Sequence, residues 1–380
     1  MNKGKILFNC EIKMLAPLII GSGEGDNSDS DILLNKKGVP FIPATSFVGV
    51  LKSFFKAIKE NDVFFKKIFP QKEKEGKDSA LICDDLIIKN PIDFKIVIRD
   101  GIKINNKRGI AQEGAKFDYQ VLEKGCFFIL NMEIDIDSIE FYNYSKKMLK
   151  TFIENTNDIR LGAKTNLGFG KIELIDINIY EYDFSKKEHI AKWLTINKIT
   201  SENIKSFDKI NIEKTETFKL NDNSFEMLLT FEINNSIIIK SYSNNPEDSD
   251  ATHIKSGNDY VLTGTSIKGA LRARAEKIFN TLFETNEELY QKFIKSLFGD
   301  FADDKKDKNK TLVPSKFSVD EVVIENIVSD EIQTRIKIDR FTGGTIESAL
   351  FDNMPLFPKG ENKNNIKNFR IKIKEPFESH

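Results

Sequence analysis

The 380-residue sequence predicts an α+β chain made of two copies of one β-α-β-β-α-β unit, and two observations carry the prediction. Stretches of period-2 alternation and of helical periodicity follow each other in a fixed order. That order then occurs twice. Residues 19–31, IIGSGEGDNSDSD, match residues 238–250, IIKSYSNNPEDSD, without a gap. PATSFVGVLKSFFKAI from Pro43 matches TGTSIKGALRARAEKI from Thr263. KKIFP (66–70), SALICDDLII (79–88) and GIKINNKRGIAQEGAKFD (101–118) have counterparts at 295–299, 315–324 and 335–352. Repetition on this scale fixes the architecture before any motif is read.

Each copy opens with an alternating strand, KILFNCEIKM in the first and FEMLLTFEIN in the second. A polar loop leads to a helix whose apolar face carries Phe47, Val50, Leu51, Phe54, Phe55 and Ile58 in the first copy. Ser46 and Ser266 are the expected N-caps. A strand follows near 79–88 and 315–324, then a hairpin with expected arms 94–104 with 126–136, and 332–339 with 367–374. The first copy continues through a helix at 145–156, a glycine-rich loop RLGAKTNLGFGK (160–171) and a last strand KIELIDINIYEY. Together these make a ferredoxin-like (RRM-like) sandwich of one sheet and two helices. The expected domains are 1–182, a connector at 183–222 holding Trp193, and 223–380. The sequence of the second copy stops at His380, after its hairpin, so its last helix, glycine loop and strand are expected either to be lost by truncation or to be supplied by another segment.

Composition narrows the function classes. The chain is 40% hydrophobic and 30% charged, which is globular rather than disordered. No stretch reaches the roughly 18 apolar residues of a membrane span, and the N-terminus alternates like a strand. Cys10, Cys83 and Cys126 show no metal-ligand spacing and read as reduced thiols of a cytoplasmic protein. With a net charge of −1, any nucleic acid must be held by local basic patches, because the global field is neutral.

The repeated polar loop is the leading candidate for chemistry, through Asp29 and Asp248. A carboxylate beside an RNA backbone can hold Mg²⁺, or take the proton of a 2′-hydroxyl attacking the adjacent phosphorus. Asp-Ser-Asp is equally the chemistry of a turn. Gly49 and Gly269 each interrupt a good helix at a cost of about 1 kcal/mol, which implies close approach of a packed element or a ligand. Lys268, Arg272 and Arg274 near a helix start suit a phosphate backbone, with Arg274 expected on the apolar face. Arg160, Lys164 and Lys171 lie among three glycines, where backbone N–H groups and cations can cradle phosphates. Gly-Phe-Gly in that loop is not the aromatic RRM strand motif, because it leads into the last strand. Of three histidines only His253 stands near a candidate loop, and it has no counterpart in the first copy.

These blocks resemble the RAMP superfamily, the RNA-binding proteins of CRISPR effector complexes, and above all the backbone subunit of type III complexes. PFIPATSFVGVLK and VLTGTSIKGALR carry the resemblance, with the LFG element, IDRFTGG…ALFD and the glycine loop. The resemblance implies guide-RNA and target-RNA binding, other CRISPR effector subunits as partners, and thumb hairpins inserted into the guide–target duplex. It implies metal-dependent cleavage of target RNA by a loop aspartate, by motif position Asp29 and Asp248, with Mg²⁺ as the implied ion. Ser46, Lys52, Arg160, Lys164, Lys171, Ser266, Lys268, Arg272, Arg274 and the thumb residue Arg340 are the implied RNA contacts. Ala44 and Val48 depart from the signature in the first copy. The alternatives are a non-catalytic RNA scaffold, or a metal-independent endoribonuclease processing repeat RNA, which the scarcity of histidine disfavours.

Overall fold

The computed structural model describes residues 4–22, 28–59, 63–70, 78–106, 108–196, 203–220, 223–241, 249–283, 286–300, 313–360 and 365–375. The chain is mixed α/β and divides into two bodies. One comprises Met1–Val97, Gln120–Ala163 and Gly170–Asp222; the other comprises Ile98–Tyr119, Lys164–Phe169 and Asn223–His380.

In chain order the first copy supplies β1 (Gly4–Met14), α1 (Ala44–Lys59), β2 (Leu81–Cys83), β3 (Leu86–Ile88), β4 (Ile96–Asn105), β5 (Ile110–Leu122), β6 (Phe127–Ile136), α2 (Ile139–Glu154), β7 (Ile172–Asp183) and α3 (Lys187–Thr195). The sheet of the first body runs from a short strand at Phe41–Ile42 through β3, β6, β1 and β7 to Asp208–Lys209, and β2 also pairs with β6. β1 sits between β6 and β7, antiparallel to both.

The alternation of β1 sends Ile6, Phe8, Cys10, Ile12 and Met14 to one face, all at most 1% exposed. Phe47, Leu51 and Phe55 from α1, and Phe141, Met148, Leu149 and Phe152 from α2, close that core. Truncating a ring such as Phe152 to Ala here costs about 3–5 kcal/mol. α2 starts where Ser138 Oγ accepts from Phe141 N at 3.2 Å. The opposite face of β1 and β7 is covered by Ile204 and Phe207 against Leu7, Tyr180 and Tyr182.

The second copy supplies β8 (Ser224–Phe231), β9 (Lys240–Ser241), β10 (Ala251–His253), α4 (Gly264–Phe283), β11 (Phe317–Val319), β12 (Gln333–Ile338), β13 (Thr345–Met354) and β14 (Ile366–Lys374). β14 lies between β8 and β11, and a second sheet has the order β9, β10, β13, β12. Phe279, Phe298, Phe317, Val319, Leu356, Phe369 and Ile371 form its core.

Three expectations need correction. The hairpins close locally: β4 pairs with β5, and β12 with β13, while 126–136 and 367–374 belong to the main sheets. The turns explain this. The Asn105 carbonyl accepts from Gly109 N at 2.8 Å, and Asp339 Oδ1 accepts from Phe341 N and Thr342 N at 2.7 and 3.0 Å. Loops of four and six residues lose less chain entropy than the expected loops of 21 and 27.

The helix caps also differ. Ser46 and Ser266 lie inside α1 and α4; Asp85 Oδ1 accepts from Ala44 N at 2.8 Å, and Thr263 Oγ1 accepts from Ser266 N at 3.4 Å. Arg274 is exposed rather than on the apolar face; Lys268 and Arg272 are the buried cations of α4.

Candidate functional site

The Asp29 loop is pinched at its base. Ser22 N donates to Asp31 O at 3.0 Å, and Leu33 N donates to Ile20 O at 2.8 Å. Ser28 Oγ lies 2.7 Å from Asp31 Oδ1, so the last carboxylate of Asp-Ser-Asp performs the turn chemistry. Asp29 is exposed. The returning arm is tied to the base of β5, where Gln120 N donates to Ser30 O at 3.0 Å and Gln120 Oε1 accepts from Ile32 N at 3.1 Å.

The second copy repeats the plan. β9 and β10 close the loop at Ser241 and Thr252, and Asp250 Oδ2 accepts from Asp352 N on β13 at 2.9 Å. Asp248 lies outside the described residues. In each copy, therefore, the segment ending the Asp loop is fastened to the second strand of the hairpin.

The glycine loop packs against the residues that precede the Asp29 loop. Ala163 N donates to Ile19 O and Gly170 N to Pro17 O, both at 2.8 Å. Two of the N–H groups expected to face phosphates are thus spent inside the fold. Gly170 has φ +73, and a Cβ there would lie 1.8 Å from Leu161 O, so only glycine fits. Arg160 is half-buried, with Nη1 3.2 Å from Ile159 O, and its backbone bridges antiparallel to that of Lys171 across the loop mouth. Lys52 Nζ reaches Pro70 O at 3.3 Å.

An open cleft of about 270 Å³ lies where these motifs meet, lined by Ile20, Gly21, Ser46, Val50, Gly162 and Ala163 among others. Beside it on α1, Gly49 faces open space, and Gly269 does so on α4. Neither glycine serves helix–sheet packing.

The second body holds the remaining predicted cations. Lys164 has φ 54, and its Nζ lies 3.2 Å from the centre of the Tyr119 ring and 4.9 Å from that of Phe117. Burial lowers its pKa to about 8. Lys268 Nζ donates to Ser315 Oγ at 2.6 Å and Phe317 O at 2.9 Å, and burial lowers its pKa to about 8 as well. Arg272 donates to Glu276 Oε1 and to Gly299 O, each at 3.0 Å. These two side chains brace the fold from within, whereas Ser266, Arg274 and Arg340 are exposed. Arg340 precedes Phe341, 99% exposed at the hairpin turn.

His253 is a strut: its Nδ1 accepts from Ile239 N at 3.2 Å, its Nε2 lies 2.9 Å from Val261 O, and burial lowers its pKa. The cysteines are free, and burial raises Cys83 to about 12 and Cys126 to about 11.

Sequence reasoning missed one feature of the second body. Arg99 Nη1 pairs with Glu321 Oε2 at 2.7 Å while its guanidinium lies 5.6 Å from the centre of the Phe169 ring. An Arg in one hairpin strand and a Glu more than two hundred residues later carry no local signal.

Among the described residues, no group of three His, Cys, Asp or Glu side chains could hold a metal ion, and no helix is long and apolar enough to cross a membrane.

Two solved structures are similar to parts of the chain. One is a chain of Type III-B Cmr-beta in the apo state, 14% identical, with TM-score 0.38, covering 44% of this chain and 96% of that one. The other is from Type III-B Cmr-beta bound to cognate target RNA, 13% identical, with TM-score 0.37 and the same coverage. No curated protein matches. The family model of the RAMP superfamily matches twice, over residues 11–173 and 230–378, which embraces both Asp loops, both hairpins and the glycine loop. The chain belongs to the RAMP superfamily.

Proposed function

We propose that the protein is a guide-RNA-binding backbone subunit of a type III CRISPR effector complex, acting in the cytoplasm with other effector subunits, and that each ferredoxin-like copy cuts target RNA at its loop aspartate. The cleft shared by Gly21, Ser46, Val50, Gly162 and Ala163 carries the reading. Small residues from three separate motifs converge there and leave room for a polymer backbone to approach. Arg160 and Lys171 stand at the mouth of the glycine loop beside it to meet phosphate charge.

Asp29 is presented on a loop whose two ends are fixed, so its carboxylate has a defined place from which to take a 2′-hydroxyl proton. The donor set fits Mg²⁺ only as one carboxylate completed by water and phosphate oxygens, the usual manner for that ion. Bound there, it would neutralise charge at the scissile phosphate.

The test is cleavage of guide-complementary RNA by the assembled complex, with D29A, D248A and the double variant. Each single variant should erase its own cut and leave assembly intact. Unchanged cutting by the double variant overturns the catalytic assignment. Guide binding without any Mg²⁺-dependent cutting by the unmodified complex leaves a scaffold, and cutting of repeat RNA by the chain alone in EDTA indicates a processing nuclease.

A further inference from the structure

Asp29 sits in a short stretch whose neighbours are anchored on both sides. Before it, the buried Ser28 places its Oγ 2.7 Å from Asp31 Oδ1 and 2.9 Å from Ser30 O. After it, the Ser30 carbonyl accepts from Gln120 N at 3.0 Å, and Ile32 N donates to Gln120 Oε1 at 3.1 Å. Half-buried Gln120 on β5 thus holds two backbone groups, one on either side of Asp31. The pattern is that of a parallel strand pair, in which one residue bonds through its N–H and C=O to both neighbours of the residue opposite. Here the backbone of Gln120 supplies the N–H, and its side-chain amide oxygen takes the place of the carbonyl. The second copy has the backbone version: β10 and β13 pair in parallel, with Ala251 opposite Asn353 and Thr252 opposite Met354. Extending the match of 101–118 with 335–352 by two residues sets Gln120 against Met354, whose side chain carries no amide oxygen.

We propose that Gln120 is the positioning residue of Asp29: its amide oxygen fixes the Ile32 end of the loop and so sets where the Asp29 carboxylate stands when target RNA is cut. The inference rests on the reading of Asp29 as the group that acts on the 2′-hydroxyl. Gln120 acts through the loop backbone and not on the RNA. Misplacing a reacting group by about 1 Å can cost about a hundredfold in rate, so one lost anchor is felt at the chemical step. The two copies are unequally vulnerable to such a loss. A backbone ladder survives any ordinary side-chain substitution, whereas the surrogate carbonyl disappears with a single atom. A change at position 120 therefore loosens the first Asp loop only. The second keeps its strand pairing and the bond from Asp352 N to Asp250 Oδ2.

The test compares Q120L with Q120E. Leucine keeps the bulk and removes the acceptor, while glutamate keeps an acceptor oxygen in the same place. In the assembled complex with guide-complementary RNA, Q120L should lower kcat of the D29A-sensitive cut about ten- to a hundredfold with KM unchanged. It should leave the D248A-sensitive cut at its wild-type rate, and Q120E should restore the first cut. In the full chain alone, Q120L should speed amide exchange at Ile32 about tenfold, and Q120E should not. Q120A, which also lacks the acceptor, replaces Q120L if circular dichroism finds the latter unfolded. An unchanged first cut, equal slowing of both cuts, or failure of Q120E to rescue overturns the proposal. If D29A erases no cut, the cleavage reading has failed, and exchange at Ile32 then decides the anchor by itself: no acceleration in Q120L overturns it.

Discussion

Arg99 Nη1 sits 2.7 Å from Glu321 Oε2, with the two side chains only 4% and 7% exposed. Within the second body this pair fastens a hairpin strand of the first copy to the segment after β11 of the second. A desolvated pair contributes little net stability, but removing one partner strands the other charge. E321A should therefore destabilise the chain by about 3–5 kcal/mol in urea unfolding, far more than an exposed pair would. A loss below about 1 kcal/mol would show that the pair is not buried in solution.

The glycine loop offers a controlled comparison. G170A combines φ +73 with a Cβ 1.8 Å from Leu161 O, whereas G38A has the same φ and nothing within 4 Å. G38A should cost about 1–2 kcal/mol from backbone strain alone. G170A should cost clearly more, because the loop must also move away from Leu161. Equal melting temperatures for the two variants would contradict the close approach.

Two lysines make stability pH-dependent in a defined direction. Lys268 and Lys164 have folded-state pKa values of about 8, below the ordinary 10.5. Between those values the unfolded chain binds more protons, so each lysine's contribution to stability rises with pH from about 8 to 10.5 and is lost as pH falls through 8. The Cys83 thiol, raised from 9.0 to about 12, acts oppositely above pH 9. The clean measurement is the melting temperature of wild type minus that of K268M: the difference should grow with pH across the window. A flat difference would mean Lys268 is solvated.

Ser46 tests the cleft rather than the fold. It is exposed, so S46L should change stability by less than about 0.5 kcal/mol. By filling the space between Gly21 and Gly162 it should weaken guide-RNA binding about tenfold, or roughly 1.4 kcal/mol. Filter binding on the assembled complex is the check, and unchanged affinity would place the RNA elsewhere.

Much of the architecture was legible because it rests on local pattern. The alternation of β1 and β8, the helix period of α1 and the glycines of 160–171 each declare themselves within a dozen residues. The matching Asp loops were legible by repetition. What misled was pairing. The arms of the two hairpins are expected 21 and 27 residues apart, whereas the Asn105 and Asp339 turns close them after a few residues. Ser46 suits a cap by its own sequence, yet the group that caps α1 is Asp85, forty-one residues after the helix's first residue, Ala44.

By itself, then, the sequence determined that this chain is a mixed α/β protein in which one order of motifs occurs twice, with a hairpin and a helix in each copy. Periodicity and repetition are properties of neighbouring residues. Only the tertiary structure decided which cations point inward, such as Lys268 and Arg272, and which remain outside, such as Arg274 and Arg340. It alone brought Gly21, Ser46 and Gly162 to one cleft. Burial, cross-chain pairing and desolvation depend on which distant segments meet, and no short stretch of sequence encodes that.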